Sequence, residues 1–170
     1  MIDVRDLPSV PTAGDFVFRV GNTSDPGTWV EAPQPAEISL RRGAGRDGSD
    51  RITLIWPHSE IRNEWLQVTV RETPRTGLAS DDVFYFGNAI GETGDDPANA
   101  IVNAVDAIAA RNHPRDPDDM SPITNPFDFN RDRLVDTLDV ALAQQNATSP
   151  LTALQLISFC CGKDFCSFFG

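Results

Sequence analysis

No run of 18 apolar residues occurs in this 170-residue chain, so no membrane-spanning helix is expected. Positive charge is scarce: 14 Lys and Arg stand against 25 Asp and Glu, a net charge of -11. Such a field repels phosphate backbones and anionic lipid, which makes nucleic acid and membrane surfaces poor partners. Cysteine is rarer still. All three, Cys160, Cys161 and Cys166, fall in the closing "CCGKDFCSFFG". An odd number so close together is a poor disulfide framework, and His58 and His113 are remote in sequence as further ligands. Residues 158–170 therefore read as a frayed tail, with a local Cys161–Cys166 bridge as the alternative. The opening "MIDVRDLPSVP" lacks the basic and apolar regions of a signal peptide. Also missing are G-x-S-x-G, H-E-x-x-H and a glycine-rich phosphate loop. Glu31, Glu37, Glu60, Glu64 and Glu72 offer carboxylates, but their spacing singles out no acid/base pair. The chain is expected not to be an enzyme.

What is present is a change of period. With 40% hydrophobic residues the chain is globular in composition. Residues 15 to 72 alternate with period two: Phe16, Phe18 and Val20; Ile38 and Leu40; Ile52, Leu54 and Trp56; Leu66, Val68 and Val70. Turn-rich pieces such as "GNTSDPGT" and "RRGAGRDGSD" separate these runs. The pattern predicts an antiparallel, β-sandwich-like region over residues 1–82. "DDVFYFGNAIG" follows as a further short strand leading into a turn.

Beyond residue 91 the period becomes helical. Val105, Ile108 and Ala109, and likewise Leu138, Ala141 and Leu142, are spaced i, i+3, i+4. They predict short helices over 105–112 and 138–145 that bury these triplets against each other. The chain between them, "HPRDPDDMSPITNPF", carries four prolines and reads as a linker. "AIVNAVDAIAARN" set over "RLVDTLDVALAQQ" gives an internal repeat of period 33, in which Val102 matches Val135, Asn103 matches Asp136 and Asp106 matches Asp139. The fold class expected is therefore α+β, with a repeat pair over 83–157.

In the second repeat, "DFNRDRLVDTLD" fits a twelve-residue calcium loop. Such a loop takes oxygens from positions 1, 3 and 5, a backbone carbonyl at 7, a water held by 9, and a carboxylate at 12. Those positions are Asp128, Asn130, Asp132, Leu134, Asp136 and Asp139. Calcium is a hard cation, and the set contains only oxygen donors. Val135, at position 8, is expected to pair the two loops at the core. Position 6, where glycine eases a sharp turn, is Arg133. The first loop is less regular. A twelve-residue register would use Asp95, Pro97 and Asn99, and proline has no side-chain oxygen to give. A longer register offers Glu92, Asp96, Asn99 and Asp106.

Two D-x-N-x-D-x-x-V-x-x-x-D loops, each followed by a helix and preceded by none, resemble a type I dockerin, with its duplicated F-hand version of the EF-hand calcium loop. "DFNRDRLVDTLDVALAQQN" is the closer copy and "GDDPANAIVNAVDAIAARN" the degenerate one. The resemblance covers residues 83 to 157. It implies a calcium-dependent module that docks a cohesin-like protein domain, in association with polysaccharide-degrading systems outside the cell or on its surface. Family contacts at positions 10 and 11 correspond here to Ala104 and Val105, and to Thr137 and Leu138. Of the hydroxyl-bearing residues usual there, only Thr137 is present. The alternative reading is a carbohydrate-binding β-sandwich with structural calcium. In it Trp29, Trp56 and Trp65 are the candidate rings, and Trp65 is the one expected to be exposed.

Overall fold

The computed structural model describes residues 1–57, 60–122 and 124–157. His58 and the three cysteines lie outside the described residues. The chain is α+β, with two antiparallel sheets and two α-helices among the described residues. It divides into two units. The first comprises residues 1–21, 26–61 and 65–87, and the second residues 22–25, 62–64 and the chain from Asn88 on. The expected boundary at 82/83 thus moves to 87/88, because Asp82–Asn88 forms a strand in a sheet of the first unit.

In the first unit, β1 (Ile2–Val4), β5 (Asp50–Ile55) and β4 (Glu37–Arg41) form one sheet in that order. The other runs β3 (Val30–Glu31), β2 (Phe16–Gly21), β6 (Glu64–Val70), β7 (Asp82–Asn88). The alternation in β2 buries Phe16, Phe18 and Val20 and leaves Val17 and Arg19 exposed. Its partner β6 buries Leu66, Val68 and Val70, with Phe18 opposite Val68 in the register. Ile2 and Val4 of β1 and Ile52 of β5 complete the same core. Phe18 meets Trp56 edge-on at 5.3 Å between ring centres. Removing so buried an aromatic ring costs about 3–5 kcal/mol. Gly21 is required where Trp29 crosses β2, since a Cβ there would lie 2.3 Å from the indole.

In the second unit, α1 (Ala104–Asn112) and α2 (Thr137–Gln145) pack on each other. Nine-residue helices are marginal alone and depend on that packing. Their buried face is not the predicted one. Val105, Ile108 and Leu138 are 53%, 46% and 58% exposed. Asp106, Ala107 and Ala110 of α1, and Asp139 and Ala143 of α2, are buried instead. The acids at loop position 12 cause this rotation. Each must turn inward to receive backbone N–H groups, and the alanine four residues on shares its face.

Val102, Ala107 and Ala143 form the centre of the pair, with Phe129 and Val140 against them. Gly91, with φ +92°, lets the chain pass over α2, where a Cβ would lie 2.8 Å from Ala143 Cα. Val135 does not pair with Val102. It forms an antiparallel bridge with Arg115, just after α1, while Val102 bonds to Thr148, just after α2. The start of each helix therefore faces the end of the other, so the two run antiparallel.

Candidate metal centre

Residues 128–139 are wound by short-range side-chain acceptors. Asn130 Oδ1 accepts from Asp132 N at 3.0 Å, and Asp132 Oδ1 accepts from Leu134 N at 2.8 Å. Asp136 Oδ1 accepts from Leu138 N at 2.7 Å, which caps α2. Such turns are the local alternative that Asp and Asn offer to regular structure. Two residues stand in the left-handed region: Arg131 at φ 61° and Arg133 at φ 74°. Arg133 thus makes the sharp turn without glycine. Its N–H donates to Asp128 Oδ2 at 3.0 Å, closing the loop from position 6 to position 1.

Asp139 joins the two ends. Its Oδ1 accepts from Phe129 N at 2.7 Å, and its Oδ2 accepts from Asp136 N at 3.0 Å. One carboxylate therefore ties the loop's start, the loop's end and the helix cap together. Asp128 is 1% exposed, and its Oδ1 has no hydrogen-bond partner. Asn130, Asp132 and Asp136 are more open, and Asn130 Nδ2 donates to Asp132 Oδ2 at 2.8 Å.

Residues 92–106 repeat part of this plan. Thr93 N donates to Asp106 Oδ1 at 2.9 Å, as Phe129 N does to Asp139. Asn103 N donates to Asp106 Oδ2 at 2.8 Å, as Asp136 N does to Asp139. These correspondences set Glu92 in the place of Asp128, so the first loop is three residues longer than the second. Carboxylate oxygens of Glu92, Asp95 and Asp106 lie within 4.8 Å of one another. Asp95, not the expected Asp96, joins Glu92 and Asp106. Asp96 Oδ2 instead accepts from Asn99 Nδ2 at 2.6 Å, and Asn99 Oδ1 accepts from Ile101 N at 2.9 Å. Burial pushes the Glu92 carboxyl up from its ordinary value, and the charges of Asp106 and Asp95 add to the rise. Its Oε2 is buried without a partner. Asp95 was visible in the twelve-residue register, but Pro97 at position 3 argued against that register as a whole.

Ala104 and Val105 open α1 and Thr137 and Leu138 open α2, and all four are exposed. The tryptophans form no exposed platform. Trp29 is 6% exposed and meets Tyr85 edge-on, Trp56 packs on Phe18, and Trp65 is half-buried. Of the glutamates, Glu31, Glu37, Glu60 and Glu72 are exposed, while Glu64 is half-buried and burial pushes its carboxyl up. No family model, curated protein or solved structure matches the chain.

Proposed function

We propose that this chain is a non-catalytic, calcium-ordered docking module of the dockerin kind, acting outside the cytoplasm. One observation carries the reading: Asp128 holds a carboxylate away from water with one oxygen unanswered. An ionised carboxylate in that setting costs several kcal/mol unless something compensates it. A divalent ion at Oδ1 would supply the compensation. By loop position, oxygens of Asn130, Asp132, Asp136 and Asp139 and the Leu134 carbonyl would be the remaining donors, a hard set suited to calcium. Among the described residues, however, only Glu92, Asp95 and Asp106 bring three carboxylates within 4.8 Å of one another. Glu92, Asp95 and Asp106 are the donors for a second ion in the first loop. Extracellular modules work at affinities of about 0.1–1 mM, so even a modest site would be filled there.

Loaded loops would hold α1 and α2 against each other and leave Val105, Ile108 and Leu138 exposed. A partner domain, cohesin-like in the reading favoured here, would cover these apolar side chains. Calorimetric titration of chelator-stripped protein with calcium tests the proposal, with Asp128→Asn and Asp139→Ala alongside. Uptake that both substitutions weaken supports it, and no uptake at millimolar calcium refutes it. Leu138→Asp should abolish partner capture while leaving calcium uptake intact.

A second reading, a saccharide-binding face on the first unit with calcium purely structural, has one feature in its favour. An open cleft of about 470 Å³ on β2 and β3 is bordered by Arg19, Trp29, Glu31 and Gln34. Arginine and carboxylate side chains side by side can bond a sugar diol as donor and acceptor. Glycan binding lost on Arg19→Ala but indifferent to Leu138→Asp would favour this reading over docking.

A further inference from the structure

We propose that Asn22 and Arg62, far from the repeats in sequence, are positioning residues for the first calcium loop. The inference rests on the calcium reading above and extends it to residues outside both loops.

The first loop is backed by the segment that follows α2. Thr148 N donates to Val102 O at 2.9 Å, and Val102 N donates to Thr148 Oγ1 at 3.0 Å. Further along, Ala100 and Leu154 form an antiparallel bridge. Ala100 and Val102 lie between the Glu92–Asp95 arm and the Asp106 cap, so whatever fixes this segment fixes the spacing of the three carboxylates. The segment folds locally: Ser149 O accepts from Thr152 N at 3.0 Å and from Ala153 N at 2.8 Å. Its placement against the loop needs more than that.

Two side chains provide the rest. Arg62 Nη2 donates to Asn146 Oδ1, while Asn146 Nδ2 donates to Leu142 O at 2.7 Å, so Arg62 reaches the C-terminal end of α2 through a buried amide. The Asn22 carboxamide then grips the backbone. Its Nδ2 donates to Ala153 O at 2.9 Å, and its Oδ1 accepts from Gln155 N at 2.7 Å. A donor and an acceptor directed at residues i and i+2 of one chain reproduce what a neighbouring β-strand would offer. Residues 22–25 and 62–64 belong to the same compact unit as the helices.

The two loops differ in their need for such anchors. The linker behind the second loop is joined covalently to the repeat pair at both ends, by α1 and by the loop itself. The segment behind the first loop is joined to the pair at one end, by α2. The first loop is also the longer, and slack between ligands lowers affinity unless a wall removes it. Asn22 and Arg62 serve that wall.

The test is per-site calcium affinity of the whole chain by calorimetry, with Asp128→Asn and Glu92→Gln assigning each site. Asn22→Asp keeps the acceptor for Gln155 N but faces the Ala153 carbonyl with a carboxylate. It should weaken the first-loop site about tenfold, the scale of one lost hydrogen bond. The Asp128 site should stay within twofold. Arg62→Lys, which keeps the charge and loses the planar fork, should shift the same site in the same direction. Hydrogen exchange should show residues 92–102 loosening and residues 128–136 unchanged. Equal loss at both sites, or none at either, overturns the proposal. So does a wild-type chain whose one site is abolished by Asp128→Asn, although the docking reading would then survive. No calcium uptake by wild type would remove that reading itself, before any variant is compared.

Discussion

Val135 and Arg115 exchange both backbone hydrogen bonds, at 3.1 Å from Arg115 N and 3.0 Å from Val135 N. The proline-rich linker is therefore laid along the second loop, not looped free in solvent. Ser121 N adds a bond to Arg133 O at 2.7 Å, Arg131 Nη1 donates to Asn125 O at 2.7 Å, and Phe127 stacks on His113 with ring centres 4.3 Å apart. Each of these contacts uses backbone or side chains of residues 127–135, or of the residues just before them. The loop's state and the linker's state are thereby coupled.

Chelation should expose the linker. If calcium orders residues 128–139, its removal loosens the Val135 strand and frees Arg115, whose side chain is otherwise paired with Asp119. Trypsin should then cut after Arg115 at least tenfold faster in chelator than in millimolar calcium, because cleavage follows the population of the open form. Mass spectrometry of the fragments identifies the bond. Equal rates in both conditions would mean that the linker holds without the ion.

Arg133 carries a side chain where the backbone is left-handed. That conformation costs an ordinary residue roughly 1 kcal/mol, a cost glycine avoids. Arg133→Gly keeps the N–H that donates to Asp128. It should raise the unfolding temperature of the second unit by a few degrees, and calcium affinity should rise as a cation leaves the loop. Part of the gain is offset by the freedom glycine adds to the unfolded chain. A lower melting temperature would show that the arginine side chain makes contacts worth more than the strain.

Much of the first unit was legible from alternation, since each of β2 and β6 has one buried face and a one-residue slip would expose Phe18 and Val68. The pairing of β1 with β5 was not, because three residues are too few to show a period. The helix positions were legible, but their orientation was not. Val105, Ile108 and Leu138 look like core on hydrophobicity alone, and only the hydrogen bonds to Asp106 and Asp139 reveal that carboxylates hold the inward face. In the second loop, each candidate ligand could be assigned by counting from Asp128. In the first, the twelve-residue count offers Asp95 and the longer count offers Glu92, and the three-residue insertion lets both reach Asp106, which neither count alone shows.

Acidity should act on the two units with opposite sign. Asp3, opposite Arg51 in the β1–β5 register, takes two bonds from its guanidinium at 2.7 and 2.8 Å. Those bonds hold the Asp3 carboxyl well below its ordinary value of 3.8. Gly43 N, with Arg42 beside it, likewise holds Asp50 low. Their contribution is complete above the ordinary value and is lost as pH falls through the depressed one. Glu92 is the reverse case: burial raises it above 4.5, so the calcium-free second unit binds an extra proton. That unit loses stability as pH rises from 4.5 through the raised value. Hydrogen exchange of calcium-free protein between pH 3 and 7 should show the first unit weakening toward acid and the second toward neutrality. Calcium should flatten the second trend, since the ion favours ionised Glu92. A Glu92→Gln protein should keep only the part of the second trend that Glu64, also raised by burial, supplies.

Asp128→Asn should move stability in two directions at once. Without calcium, the substitution replaces a buried charge by a neutral amide of the same shape. The amide oxygen still accepts from Arg133 N, and its NH2 points where Oδ1 stood bare. Relief of an uncompensated charge should make the stripped variant more stable than stripped wild type, by about 1–3 kcal/mol. With calcium the order reverses. Wild type gains the mass-action term, about 2.7 kcal/mol at a hundredfold excess over Kd, and the variant gains little from this loop. Thermal unfolding of both proteins in chelator and in calcium would therefore give curves that cross. A variant that is less stable under both conditions would mean that the Asp128 carboxylate serves the fold through its bond to Arg133 alone. In that event its bare oxygen would not mark an ion's place.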